Sequence, residues 1–238
     1  VFFFMLLKKM VNVLKKLFIG LIFLSYTSSI AANPSDFNKW LNEFKITSKK
    51  NGISKKTIDE VLSNAIYLEK VIVYDNRQPE FFEKTNTYIA KRASKRAVKK
   101  ALIILNKNKL ILEKVEKEFN VNKEILLALW STETNFGNNL GKMDIVSSLA
   151  TLSFDKRRSE FFSGELLTLL KLVDKNIIKK ETLYGSWAGA LGNFQFMPSS
   201  ISNHAIDYDK DGYIDLKGSK PDAIASAANY INKIGWKK

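Results

Sequence analysis

From Phe37 onward the apolar residues of this chain recur at three- and four-residue steps, and nowhere do they alternate with a sustained period of two. That periodicity excludes a large sheet and predicts an all-α, mainly helical fold. Phe37, Trp40, Leu41 and Phe44 make the i, i+3, i+4, i+7 stripe of an amphipathic helix over 37–49. Ser54 is placed to cap a short helix ending at Leu62, and the polar, proline-containing run from Asp75 to Phe82 reads as an extended connection. One long helix, or two broken near Asn106, should fill 83–119. Asn122 then caps a helix that stops by Gly137, and further helices are expected over 145–152, 159–174, 198–204 and 221–234.

The first 32 residues have a different character. Lys8, Lys9, Lys15 and Lys16 form a basic start, Leu17 to Leu24 an apolar run, and Ser29 to Ala32 a small-residue cleavage signal. The run is shorter than the roughly 20 residues of a spanning helix, so a cleaved signal peptide and a periplasmic protein are expected in preference to a retained anchor. The formal charge is +14, and it remains +10 without the four lysines of that segment. On an exported chain this excess points to an anionic wall or membrane surface and not to nucleic acid. The cluster from Lys91 to Lys100 reads first as a solvated helix surface. With no cysteine in 238 residues and His204 the sole histidine, thiolate chemistry, lipid attachment and histidine-based triads are excluded.

Glu133 is the most informative position. In the helix NKEILLALWSTETNFG it follows Leu126 by seven residues, Leu129 by four and Trp130 by three, which places it on the core-packing face. A carboxylate there loses hydration, so its protonated form is favoured, as a general acid requires. A glutamate at a helix end can also bend out to solvent, and the helix alone leaves both readings open. Glu160 and Glu165 read as solvated residues of an amphipathic helix.

Several blocks carry a resemblance. WSTETNFG (130–137), LATLSF (149–154), RRSEFFSGEL (157–166), GSWAGALGNFQFMPSS (185–200) and DAIASAANYINKIGW (222–236) occur in one order, with RQPEF (77–81) upstream. Together they resemble the membrane-bound lytic murein transglycosylase B family, over roughly residues 35–236. The resemblance implies a lysozyme-like catalytic domain over 33–238, with a helical N-terminal portion to about 118 and a catalytic core from about 119. Members of that family continue past the position of Trp236, so a truncated C-terminal end is expected.

The resemblance also implies an enzyme acting on peptidoglycan strands, with Glu133 as acid and then base in making a 1,6-anhydromuramic product; apart from the resemblance, a monomer is expected. It further implies sugar contacts from Ser186, Gln195, Tyr230 and, with less support, Tyr88. A non-catalytic wall-binding protein and a hydrolytic muramidase are the alternatives.

The stretch DYDKDGYIDL places Asp207, Asp209 and Asp211 at alternating positions. Gly212 supplies the sharp turn and Tyr213 a backbone carbonyl, as in an EF-hand. Three alternating aspartates repel one another without a cation, although an acidic surface turn is the plainer alternative. Gly218 stands where a closing glutamate is usual, and the family resemblance assigns that closing role to Asp222. Structural calcium is the expected ion, with none needed for catalysis.

Overall fold

A computed structural model describes residues 34–77 and 84–237. The segment read as a signal peptide, and most of the RQPEF block, lie outside the described residues. The described chain is helical apart from short connections and one two-stranded ribbon. Its helices are α1 (Phe37–Lys50), α2 (Lys55–Leu62), α3 (Glu69–Asn76), α4 (Thr85–Arg92), α5 (Lys95–Lys107), α6 (Lys109–Phe119) and α7 (Lys123–Thr134). After β1 (Met143–Asp144) come α8 (Ile145–Phe154) and α9 (Ser159–Asp174). Beyond β2 (Tyr184–Gly185) lie α10 (Pro198–His204) and α11 (Lys220–Lys233). The β1 and β2 strands pair antiparallel, Met143 opposite Gly185.

At the centre is α8, in which every residue from Ile145 to Ser153 is buried. A helix enclosed on all sides must satisfy its polar groups internally. Asp144 caps it by accepting the Ser147 amide at 2.8 Å. The Ser147 and Thr151 hydroxyls accept the amides of Ile66 and Leu68, at 3.1 and 3.0 Å. Those two bonds fix the strap leading into α3. Packed on α8 are α9, α3 and α1, and Phe37, Tyr67 and Phe154 meet edge to face within 6.0 Å. On the other side of the fold α11 packs against α6, α7 and α10. Among the described residues no helix is long and apolar enough to cross a membrane.

Most expected helices form within a residue or two of their expected ends, and Ser54 caps α2 by accepting the Thr57 amide. Four details differ. Asp75 is not in an extended connection but in the last turn of α3, 5% exposed, with its carboxylate bracketed by Arg157 and Arg158. The weak local pattern of that stretch is overridden by a tertiary ion pair. The expected long helix is three, broken at the Ser94 cap and again at Asn108, whose side chain donates back to the Ile104 carbonyl at 2.8 Å. Asn122 marks the start of α7 without its side chain capping it. Glu165 is not solvated: it is 4% exposed and accepts from the Ser199 amide (2.8 Å) and hydroxyl (2.6 Å), capping α10 from α9. Glu160 is exposed, as expected.

Candidate active site

The face of α7 that enters the core is Leu126, Leu127, Trp130 and Thr134. Glu133 is one step round from this stripe and exposed, so the expectation of a core-facing carboxylate is corrected. The buried stripe runs through Thr134, whose small hydroxyl can be satisfied where a carboxylate could not. The expected direction of the pKa still holds. The protein mass around Glu133 desolvates its carboxyl and raises it above the usual glutamate range, and desolvation is the sole cause. Among the described residues Glu133 has no hydrogen-bond or ion-pair partner. Its carboxyl is therefore open to solvent yet poorly hydrated, a state in which the protonated form persists to higher pH.

The turn after Glu133 is unusual. Asn135, Phe136 and Gly137 have φ of 50°, 60° and 81°, three consecutive left-handed residues of which two carry side chains. Each non-glycine residue in this region costs about 1–3 kcal/mol and persists where its surroundings over-determine it. Here they do. Thr134 donates its hydroxyl to the Asn193 carbonyl at 2.7 Å and accepts the Gly137 amide at 3.0 Å. Phe136 is buried against Trp130, and the Lys100 ammonium bonds the Asn135 carbonyl (3.0 Å) and side chain (2.7 Å). Lys100 thus belongs to the cluster first read as solvated surface, but it has a specific acceptor at the negative end of α7.

Asn193 is the hub. It is 4% exposed; its Oδ1 accepts the Trp130 indole N–H at 2.9 Å, and its Nδ2 donates to the carbonyls of Leu216 (2.9 Å) and Lys217 (3.0 Å). One side chain therefore joins α7, the glycine-rich segment 185–197 and the acidic loop. Gln195 (φ 51°) donates its amide to the carbonyls of Gly192 (2.9 Å) and Leu140 (3.4 Å). Ser186 accepts the Ala190 amide on its hydroxyl at 2.9 Å. Gly141 (φ 81°) lies so close to the Gly185–Ser186 peptide that a Cβ on it would sit 2.1 Å from the Gly185 carbonyl oxygen. Ser186 and Gln195 are thus brought to the same loop, the one that leaves Glu133. Tyr230, half-buried, meets edge to face Phe196 (5.9 Å), the chain neighbour of Gln195, and His204 (5.1 Å). Tyr88 is in α4, but its side chain lies outside the described residues.

In the acidic loop, carboxylate oxygens of Asp207, Asp209 and Asp211 lie within 4.8 Å of one another. That spacing fits one cation ringed by oxygens at about 2.3–2.6 Å. Asp207 accepts the Asp211 and Gly212 amides, and Asp211 accepts that of Tyr213. Asp222 lies beneath the loop, fully buried, and accepts the amides of Tyr208, Asp209 and Asp215, so it organises the loop. The loop also docks on α6: Tyr208 donates to Glu118 at 2.6 Å, and burial with that bond pushes its pKa up to about 12.

Sequence reasoning missed Asn193, Thr134 and Lys100. Asn193 stood inside a quoted block, but a polar residue between Gly192 and Phe194 gives no sign of its three partners.

The profile of the family described as Transglycosylase SLT domain matches residues 36–238. Membrane-bound lytic murein transglycosylase B of Escherichia coli (strain K12) is 36% identical over 199 residues, covering 79% of this chain and 55% of that protein. SltB3 from Pseudomonas aeruginosa, solved with NAG-NAM-pentapeptide, superposes with a TM-score of 0.81 at 33% identity, covering 84% of this chain and 54% of that one. The Escherichia coli lytic transglycosylase Slt35, solved with calcium, gives 0.72 at 34% identity, covering 87% and 65%. The chain spans about half the length of the curated relative it matches. With matching blocks along one helical framework and a profile match over nearly all of the described fold, this chain belongs to the transglycosylase SLT domain family.

Proposed function

We propose that this chain is a periplasmic lytic transglycosylase that cleaves the bond between N-acetylmuramic acid and N-acetylglucosamine in peptidoglycan. The observation that carries the reading is Glu133: a desolvated, unpartnered carboxyl with a raised pKa, at the end of α7 in a family of transglycosylases. Its protonated form gives its proton to the glycosidic oxygen as the C1–O bond breaks. The carboxylate then takes the proton of the muramic C6 hydroxyl as that oxygen bonds to C1. The product is a 1,6-anhydro ring, Glu133 ends protonated, and no water is consumed. One carboxylate serves both steps, because the substrate's N-acetyl group supports the positive charge developing at C1, in place of the second carboxylate common in glycosidases.

The Ser186 hydroxyl accepts from Ala190 and keeps its own hydrogen to donate. The Gln195 amide hydrogens are spent on carbonyls, which leaves its oxygen to accept. The pair suits opposite ends of an N-acetyl group or ring hydroxyl, and would hold the sugar in one orientation. Tyr230, and Tyr88 from α4, would line the site. Asp207, Asp209 and Asp211, with the Tyr213 carbonyl and Asp222 closing the loop, would hold calcium, which would clamp the loop under Asn193 and supply no chemistry. Slt35 was solved with calcium. The enzyme acts as a monomer with no nucleic-acid partner.

Mass spectrometry of products released from isolated peptidoglycan tests this. Anhydromuropeptides from the native chain, with a loss of about 10²–10⁴-fold or more in Glu133→Gln, are expected. Reducing-end products would mean hydrolysis, and no product from a folded, calcium-loaded chain would overturn the enzyme reading.

A further inference from the structure

The loop that leaves Glu133 opens a second feature that the chemistry above does not use. Residues 137–142 and Lys217 line a cleft of about 570 Å³. Lys217 is half-buried and oriented: its Nζ donates to the Tyr184 carbonyl at 3.1 Å and lies 6.0 Å from the Tyr184 ring. Lys142 is exposed at the other end of the lining loop. Among the described residues neither ammonium, like most lysines of this basic chain, has a carboxylate within ion-pair distance; what sets these two apart is that they line one cleft. Two uncompensated charges in one concavity make a local positive potential that favours an anion.

The cleft is also built in place. Asn138 donates its side-chain amide to the Asn135 carbonyl at 2.6 Å. The Leu140 carbonyl receives Gln195, and Gly141 lies against Gly185 and Ser186. The same loop therefore forms one wall of the proposed sugar contacts and the floor of the basic cleft. The Lys217 carbonyl is fixed by Asn193, so its side chain starts from a rigid point.

Given the peptidoglycan reading, on which this rests, we propose that the cleft binds the free carboxylates of the stem peptide carried by muramic acid, and so selects peptide-substituted over bare strands. A bare strand offers only the lactyl carboxylate of muramic acid, held close to the ring. The stem peptide converts that group to an amide and carries its own carboxylates outward: four residues fully extended reach about 13–14 Å from their attachment point, enough to leave the sugar contacts and enter the adjoining cleft. Ammonium–carboxylate hydrogen bonds are among the stronger polar contacts, and a half-buried Lys217 is screened less than a free surface lysine.

The test uses soluble glycan fragments of equal length with and without tetrapeptide stems. The native chain is expected to show a higher kcat/KM on substituted fragments, and Lys142→Gln/Lys217→Gln to lower the substituted-to-bare ratio about tenfold. The control is Lys49→Gln, an exposed lysine of α1, which should leave the ratio alone. In parallel, calorimetry on Glu133→Gln reads binding of a disaccharide-tetrapeptide and of the same compound with its carboxylates amidated. About tenfold weaker binding of the amidated form, abolished by the two lysine substitutions, is expected. A ratio unmoved by the double substitution, moved equally by Lys49→Gln, or shifted toward substituted strands would overturn the assignment, as would equal binding of the two compounds. Absence of turnover with carboxylate-dependent binding intact would count against the catalytic reading and not against this one.

Discussion

Replacing Asn193 with alanine removes the side chain that ties α7 to the acidic loop, and its cost can be worked from the bonds it makes. The Trp130 indole N–H loses its acceptor, and the Lys217 carbonyl loses its donor. The Leu216 carbonyl keeps the Asn193 backbone amide at 2.9 Å, so it is not orphaned. Each buried group left unsatisfied costs about 1–3 kcal/mol, which puts the pair at about 2–6 kcal/mol. For a domain of this size about 1 kcal/mol lowers Tm by roughly 2–4 °C. The expected fall is therefore on the order of 10 °C in calcium-containing buffer, read by circular dichroism at 222 nm. A second arm separates lost hydrogen bonds from lost packing. In a Trp130→Phe background the indole N–H is already gone, so Asn193→Ala should cost about 1–3 kcal/mol less there. A fall under 2 °C, or strictly additive costs, would refute the idea that this bond network holds the site together.

Four other expectations follow from the geometry. In the proposed reaction Glu133 acts first in its protonated form, so with its pKa raised kcat/KM should hold below that raised value and fall as pH rises through it. A decline centred on the ordinary glutamate pKa would count against desolvation. The same shift has a stability sign: folding takes up a proton at Glu133, so its stabilisation is full below the unfolded pKa and is lost as pH rises through the folded one. The Tm of Glu133→Gln should thus gain on the native chain as pH rises from the ordinary glutamate range through the raised value, and a flat difference would argue otherwise. Chelation should lower Tm by roughly 5–11 °C relative to free calcium at about a hundred times its Kd, where linkage contributes about 2.7 kcal/mol. An unchanged melt with and without calcium would show that the three aspartates form an empty acidic turn. Gly141→Ala forces a Cβ to 2.1 Å from a backbone oxygen at φ 81°, so the loop must move off Ser186. About a hundredfold loss in kcat/KM is expected for a shift near 1 Å, and native kinetics would refute the close packing.

Much of the helical framework was legible, because its signals are local. Ser54, the stripe from Phe37 to Phe44, and Pro198 at the start of α10 each act within one or two turns. The failures fall where a distant partner decides. Asp75 belongs to a helix because two arginines more than 80 residues away close on it. Glu165 is buried because α10 begins at its carboxylate. Neither partner is visible from the local pattern, which in both places reads as solvent-facing.

The site shows the same division more sharply. The spacing from Leu126, Leu129 and Trp130 identified Glu133 and the direction of its pKa, yet it put the carboxylate on the wrong side of the stripe. A period of 3.6 residues leaves Glu133 and Thr134 a hundred degrees apart, and the choice between them is made by Asn193. Its carbonyl accepts the Thr134 hydroxyl, which draws Thr134 inward and leaves Glu133 beside the core, desolvated but open. Had Glu133 taken the buried place, its carboxyl would have faced a carbonyl and needed a permanent proton, useless for an acid that must also serve as a base. The small hydroxyl one residue later is therefore as necessary to the proposed chemistry as the carboxylate, because it decides which of the two side chains stays open to solvent.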